Sequence, residues 1–304
     1  MKSSAIGWTD FSGGDLNFVT GCTPVSEGCA HCYARRIYER FGRDFSKVTF
    51  HKDKLERLHR KQFPEYSPKR GAPHKPMCFV CDTGDLFHES VRPRAVFEAL
   101  DVMAWRDDIV WQVLTKRPER MLREVRRWCE SMGMDTLPAN VWLGVTAENQ
   151  RCADERIPIL VDTPATVRFV SVEPMLEPMD LSWDLVRLHE HTYTSYVTRD
   201  MAIDAGDRSL EGQPFAEETV EEIEYGVIDW LICGAESGPN RRPFDVAWAV
   251  DLYQQCGEAG TAFFGKQDSG LYPGEPLVLG DYGVVHEWPE ADGWGAQDDD
   301  EVLF

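Results

Sequence analysis

The segment GCTPVSEGCAHCYARR sets Cys22, Cys29 and Cys32 in a C-x6-C-x2-C arrangement inside a glycine-bracketed loop. Three thiolates so placed can hold a metal centre, and spacing alone leaves three readings open. A [4Fe-4S] cluster normally takes four cysteines, so with three of them one iron keeps an open position for a ligand. Zinc in a closed structural site wants a fourth ligand. His31 is the local candidate for it, although ligands adjacent in sequence are geometrically awkward. The third reading is no metal at all. Cys78 and Cys81 form a CxxC, but on a strand residues three apart point to opposite faces, so these two read as buried small residues. Cys129, Cys152, Cys233 and Cys256 also read as structural, with Cys152 in a loop. The odd total of nine cysteines argues against a disulfide scaffold. No apolar run reaches the roughly 20 residues of a membrane helix, and the N-terminus has no signal-length apolar stretch. The expectation is a cytoplasmic chain with reduced thiols.

A second set of chemistry-bearing residues follows short apolar, β-branched runs at 17–20 (weak), 77–81, 109–114, 141–145, 167–172, 228–233 and 262–265. Such runs read as buried strands. After them come, in turn, the three cysteines, then Asp82, Gly84 and Asp85, then Thr115, Lys116 and Arg117. Thr146, Glu148 and Asn149 follow the fourth run, Glu173 the fifth, Glu236 and Ser237 the sixth, and Lys266 and Gln267 the seventh. Ligands of parallel α/β folds bind at the carboxyl ends of strands, so these exits are expected to share one site. His88 could reach it or serve as a structural histidine.

The elements that must position these residues alternate. Helical patterns lie at 94–104, with Val96, Leu100 and Met103 on one stripe, and at 244–257, with Trp248, Leu252 and Cys256. At 118–130, Met121, Leu122 and Val125 are expected inward and Arg120, Arg123, Arg126 and Arg127 outward. Alternating strand and helix argue for a parallel α/β sheet or barrel in a single domain spanning 1–304. The rhythm fails only at 177–226, which reads as an acidic insertion or lid.

The formal charge of −20 is unevenly spread. Residues 1–130 hold 23 Lys+Arg and 18 Asp+Glu, whereas residues 131–304 hold 9 and 34. Within the first half, residues 34–75 hold 13 basic and 5 acidic side chains, interleaved with aromatics such as Tyr38, Phe41, Phe45 and Tyr66. That mixture suits a nucleic acid or nucleotide, or else a solvated helix whose aromatics face the core. The acidic runs at 200–225 and in the tail at 289–304 read as solvated and often disordered, without chemistry.

The chain resembles the phage-associated three-cysteine-motif proteins, a family of unknown function related to radical S-adenosylmethionine (SAM) enzymes. The resemblance rests on Trp8-Thr9-Asp10, GCTPVSEGCAHCYA, GDLFH at 84–88, LTKRPERM at 114–121, NVWLGVTAEN at 140–149, RFVSVEPML at 168–176, DWLICGAESGPNRRP at 229–243 and FFGKQ at 263–267. The six-residue gap between Cys22 and Cys29 is longer than the three-residue gap typical of radical SAM enzymes. The resemblance implies a partial (β/α) barrel of six or seven parallel strands, with a [4Fe-4S] cluster on Cys22, Cys29 and Cys32, SAM as cofactor and an external electron donor. By strand position, Asp82, Gly84, Asp85 and Thr115 become cofactor-binding candidates, the two aspartates for the methionine amine, and Glu148 a candidate for the ribose hydroxyls. Lys116, Glu173, Glu236 and Lys266 become candidates on the reacting side. The implied substrate is a nucleic-acid base or nucleotide, in DNA modification or repair. The competing expectation is a non-catalytic nucleic-acid-binding accessory protein stabilised by zinc or a cluster.

Overall fold

A computed structural model describes residues 3–64, 72–73, 75–196, 209, 211, 214–225 and 227–289. Tyr66, Lys69 and Arg70 of the basic segment, Asp200, Asp204 and Asp207 of the insertion, and the tail from Glu290 onward lie outside these residues.

In chain order the strands are β1 (Val19–Thr20), β2 (Thr49–Phe50), β3 (Met77–Phe79), β4 (Val110–Thr115), β5 (Val141–Thr146), β6 (Arg168–Val172), β7 (Val186–Tyr196), β8 (Pro214–Tyr225), β9 (Trp230–Gly234) and β10 (Ala262–Gln267). The helices are α1 (Tyr33–Arg40), α2 (Lys52–Leu58), α3 (Pro93–Trp105), α4 (Pro118–Met132), α5 (Gln150–Val161) and α6 (Val246–Ala259). Six strands form one wholly parallel sheet in the order β3-β4-β5-β6-β9-β10, so each new strand joins the edge left by the one before. That singly wound order is the order of an open (β/α) barrel.

Sequence chemistry sets the helix ends. Pro93 and Pro118 open α3 and α4 where a missing N–H costs nothing. Asn149 accepts from the Cys152 amide at 2.9 Å to start α5, and Asp245 accepts from Ala247 to start α6. Gly133 and Gly260, both left-handed, end α4 and α6.

The sheet has two different faces. Trp111, Val113, Val141, Leu143, Val145, Val170, Val172, Leu231, Cys233 and Phe263 pack outward under the helices. Their alternates Met77, Phe79, Val110, Trp142, Phe169, Trp230, Ile232 and Phe264 gather on the other face with Trp8. In a flat sheet β3 and β9 would stand about 19 Å apart, four strand spacings. Yet the Trp8 ring lies 4.7 Å from Phe79 and 6.2 Å from Trp230, so the sheet curls around this aromatic group into a half-barrel.

Several expectations change. The weak first run is not a strand of the parallel sheet: β1 pairs antiparallel with β2, and residues 11–21 meet the β3 edge through the bridges Phe11–Cys78 and Gly21–Gly84 and through bonds such as the Cys81 amide to the Leu16 carbonyl. The 177–226 segment contains an antiparallel hairpin of β7 and β8, so part of the acidic run is strand. Arg120 is buried because its guanidinium bonds the carbonyls of His88 and Val91. Cys152 is in α5, not a loop. Cys78 and Cys81 join the same core because β3 stops at Phe79 and Cys81 turns left-handed (φ 57°). No helix among the described residues is long and apolar enough to cross a membrane.

Candidate functional site

The inward alternation continues past the ends of the strands. Below, at the amino end, the concave face is Trp142, Phe169, Trp230 and Phe264. Past these rings the same alternation reaches Thr146 and Ser171, which pair in register, and then Gly234, Lys116, Glu148, Glu173 and Lys266. Large rings therefore plug one end and leave the carboxyl end lined with small and charged residues. A Cβ on Gly234 would sit 2.8 Å from Glu173 Oε1, so this glycine lets the carboxylate lean inward, where Lys266 Nζ meets it at 2.8 Å.

The cysteine loop is laid across this mouth and tied to successive strand exits. After β3, His88 Nε2 meets Thr23 Oγ1 at 2.8 Å. His88 Nδ1 accepts from the Ser90 amide, which makes Nε2 the donor. After β4, Arg117 reaches Cys22 Sγ at 3.5 Å and the Thr23 carbonyl at 3.0 Å, while Asp85 and Glu89 hold its guanidinium. After β5, Glu148 accepts from Ser26 Oγ and, at 3.1 Å, from the Gly28 amide. After β9, Glu236 meets His31 Nδ1 at 2.9 Å and is gripped by Arg242, which also donates to the Glu27 carbonyl at 3.0 Å.

Glu148 is the deepest of these anchors, with its side chain wholly buried. Burial alone would raise its pKa, but Lys116 at 3.5 Å and Arg156 at 2.9 Å, then Ser26 and Gly28, carry it down to about 2. Glu236 also falls to about 2, because its bonds to Arg242 and His31 outweigh burial. Burial and the nearby Asp85 push the Cys22 thiol up to about 11 against the pull of Arg117. Cys22 is therefore a thiol at neutral pH, and a metal would have to displace its proton.

The site residues expected from the sequence all gather at this end, but their tasks divide. Thr115 and Asp85 bond each other and order Arg117. Gly84 is there for clearance, since a Cβ would lie 2.5 Å from the Val19 carbonyl. Glu148 and Glu236 are engaged by the loop and by arginines, which leaves Glu148 no free oxygen for ribose hydroxyls. Asp82, bonded by Asn17, has its pKa raised by burial and faces Tyr33, whose hydroxyl donates to the Asp82 carbonyl. Glu173, Lys266 and Lys116 remain partly accessible and face the mouth. Sequence reasoning missed Ser26, Gly28, Arg156 and Arg242; Gly28 carried the one legible signal, a glycine inside a ligand loop.

Cys22, Cys29 and Cys32 are half-buried and reduced, and none of the nine cysteines is in a disulfide. Among the described residues no three His, Cys, Asp or Glu side chains converge as ligands of one metal ion.

A family profile described as "Protein of unknown function (DUF5131)" matches residues 3–280, which stops short of the acidic tail. The chain belongs to the DUF5131 family. No curated protein matches this DUF5131 member. Among solved structures, a spore photoproduct lyase double mutant with bound AdoMet and dinucleoside spore photoproduct is similar at 12% identity and TM-score 0.44, covering 90% of this chain and 79% of that one. Spore photoproduct lyase complexed with dinucleoside spore photoproduct is similar at 11% identity and TM-score 0.43, with coverage of 89% and 78%.

Proposed function

We propose that this protein is a radical SAM-like iron–sulfur enzyme acting on a nucleic-acid base or nucleotide, in the modification or repair of DNA. The observation that carries the reading is the cysteine loop itself: three reduced thiols fixed over the open end of a half-barrel by side chains from four strand exits. Cys22, Cys29 and Cys32 would hold a [4Fe-4S] cluster, and Glu173, Lys266 and Lys116 would face SAM and substrate. A cluster held there and reduced by an electron donor would supply the electron for reductive cleavage of SAM, the source of a 5′-deoxyadenosyl radical able to take a hydrogen atom from substrate. The chain's own contributions are local. Arg117 and Glu148 hold the loop that presents the thiols. The aromatic group beneath closes the barrel to water from the amino end. The Glu173–Lys266 pair offers one acceptor and one donor at the mouth.

Anaerobic reconstitution with iron and sulfide tests the first part, followed by incubation with dithionite and SAM. The expected result is about four irons per chain in the wild type, release of 5′-deoxyadenosine, and loss of both in Cys29→Ala. One zinc per chain with no iron uptake would overturn the reading in favour of a zinc-stabilised nucleic-acid-binding protein.

A further inference from the structure

The basic segment is two surfaces of opposite character. On and just after α2 most cations are paired: Lys52 with Glu98, Arg57 with Asp15 and Asp53, and Lys61 with Asp15, while Lys54 donates to the Asn17 carbonyl. On α1 the single acidic residue, Glu39, makes no ion pair with any described residue. Arg36, Arg40 and the following Arg43 make no ion pair with any described residue, and all three are exposed.

The arrangement on α1 is also directional. Ala34 and Tyr38 face inward, Tyr38 edge-on to Phe45 at 5.1 Å. Positions 33, 36, 37, 40 and 41 follow the i, i+3, i+4, i+7, i+8 spacing of one helix face. That face carries Tyr33, Arg36, Ile37, Arg40 and Phe41, and it points to solvent, with Tyr33, Ile37 and Phe41 exposed by 47%, 45% and 68%. An apolar stripe of this kind normally packs against a core. Here guanidinium groups interleave it.

Its upper end adjoins the mouth. Tyr33 follows Cys32 directly, and its hydroxyl is tied to the Asp82 carbonyl, which fixes a half-exposed ring beside the cysteine loop. The Arg36 guanidinium leans over the β9 exit, within 3.1 Å of where a Gly238 Cβ would stand. From Tyr33 to Phe41 the face runs about 12 Å at a helix rise of 1.5 Å per residue.

We propose that this face of α1 is a track for a single polynucleotide strand, with Arg36 and Arg40 on phosphates and the Tyr33 and Phe41 rings as stacking platforms that lead a base to the mouth. The proposal rests on the nucleic-acid reading above and sharpens it from any nucleotide to an unpaired strand. Charge complementarity selects a polyanion. The interleaved rings select exposed bases, because a duplex hides their faces and a free nucleotide would occupy one platform only.

The test is fluorescence anisotropy on the apo chain, with a labelled oligodeoxynucleotide, single-stranded or in duplex, between about 50 and about 200 mM salt. Arg36→Gln with Arg40→Gln should lower the slope of log affinity against log salt by about 1.4, at about 0.7 per phosphate contact on a single strand. Arg36→Lys with Arg40→Lys should keep the slope. Phe41→Ala should weaken single-strand binding roughly tenfold at unchanged slope. Lys52→Gln with Arg57→Gln on α2 should change neither quantity. Duplex preferred over single strand, equal losses from α1 and α2, or no binding at low salt (the result if an acidic protein is the natural occupant) would each overturn the track. Because no cofactor enters the measurement, its failure is separate from a failure to cleave SAM.

Discussion

The two ends of the half-barrel use the same inward register for different ends. At the amino end Trp230 touches Trp8, Trp142, Phe169, Phe264 and Trp288, with ring centroids 5.2–6.2 Å apart. At the carboxyl end the register delivers Ser171, Gly234, Glu173 and Lys266, and the apolar contact gives way to ion pairs. Packing is therefore concentrated where no ligand needs to enter, and the polar mouth stands on it. If the ends are separable, damage to the plug should reduce stability without loosening the cysteine loop. Trp230→Ala, which removes the central ring and the bond from its indole to the Glu287 carbonyl, should cost about 4 kcal/mol in urea unfolding. Alkylation rates of Cys22, Cys29 and Cys32, mapped by mass spectrometry, should stay within twofold. A large rise in those rates would show that plug and mouth form one unit.

The converse change strikes the mouth. Glu148→Gln removes the charge that Arg156 and Lys116 surround and weakens the bonds to Ser26 and Gly28. The expected loss is about 3 kcal/mol at pH 7, because the folded pKa near 2 lies well below the ordinary 4.5. The sign follows from the lowered value. The stabilisation is complete above about pH 5 and fades as the pH falls toward 2, so wild type and variant should converge in acid. Unlike the plug mutant, this variant should expose the three thiols to alkylation. Parallel stability curves down to pH 3 would show that the buried carboxylate contributes little. A smaller version of the same effect is Gly28→Ala, whose Cβ would lie 2.8 Å from the Glu148 carboxylate. Displacing the loop to relieve that contact should cost about 1–2 kcal/mol and speed alkylation of Cys29, the nearest thiol in sequence.

The plug and the mouth were unequally legible in the sequence. Six of the seven apolar runs are strands of the sheet because a buried parallel strand is apolar on both faces, whatever its neighbours. The run at 17–20 failed because Asn17 turns away to bond Asp82 and Gly21 packs so close that a Cβ on it would lie 2.4 Å from the Lys47 carbonyl, which no local pattern reveals. The exits were readable as a set, since period-two alternation carried past the strand ends puts Lys116, Glu148, Glu173 and Lys266 on the inner face. The task of Glu148 was not readable, because Ser26 and Gly28 lie 122 and 120 residues away in the chain. The same distance in sequence hid the pairing of cations on and just after α2: Asp15 pairs with Arg57 and Lys61 from 42 and 46 residues away, while the run of cations alone looked uniform.

The smallest stability change expected is also the sharpest probe of the mouth. Glu173→Gln keeps the shape of the side chain and removes its charge from Lys266. The two side chains are 13% and 26% exposed, so water can solvate the freed ammonium, and the loss should stay below about 1 kcal/mol. The neighbouring contact survives, because an amide oxygen can still accept from Ser171. If Glu173 and Lys266 are the donor–acceptor pair that meets the ligand, the same variant should reduce 5′-deoxyadenosine release at least tenfold while the thiols stay protected. Gly234→Ala should mimic it, because a Cβ there would push the Glu173 carboxylate out of the mouth. A Glu173→Gln protein that keeps wild-type turnover would leave that pair as a solvated bridge and move the ligand-facing role to Lys116, which is 19% exposed and stands 3.5 Å from Glu148. Lys116→Gln then decides between them: Arg156, Ser26 and Gly28 still hold Glu148, so the thiols should stay protected while 5′-deoxyadenosine release falls if Lys116 faces the ligand.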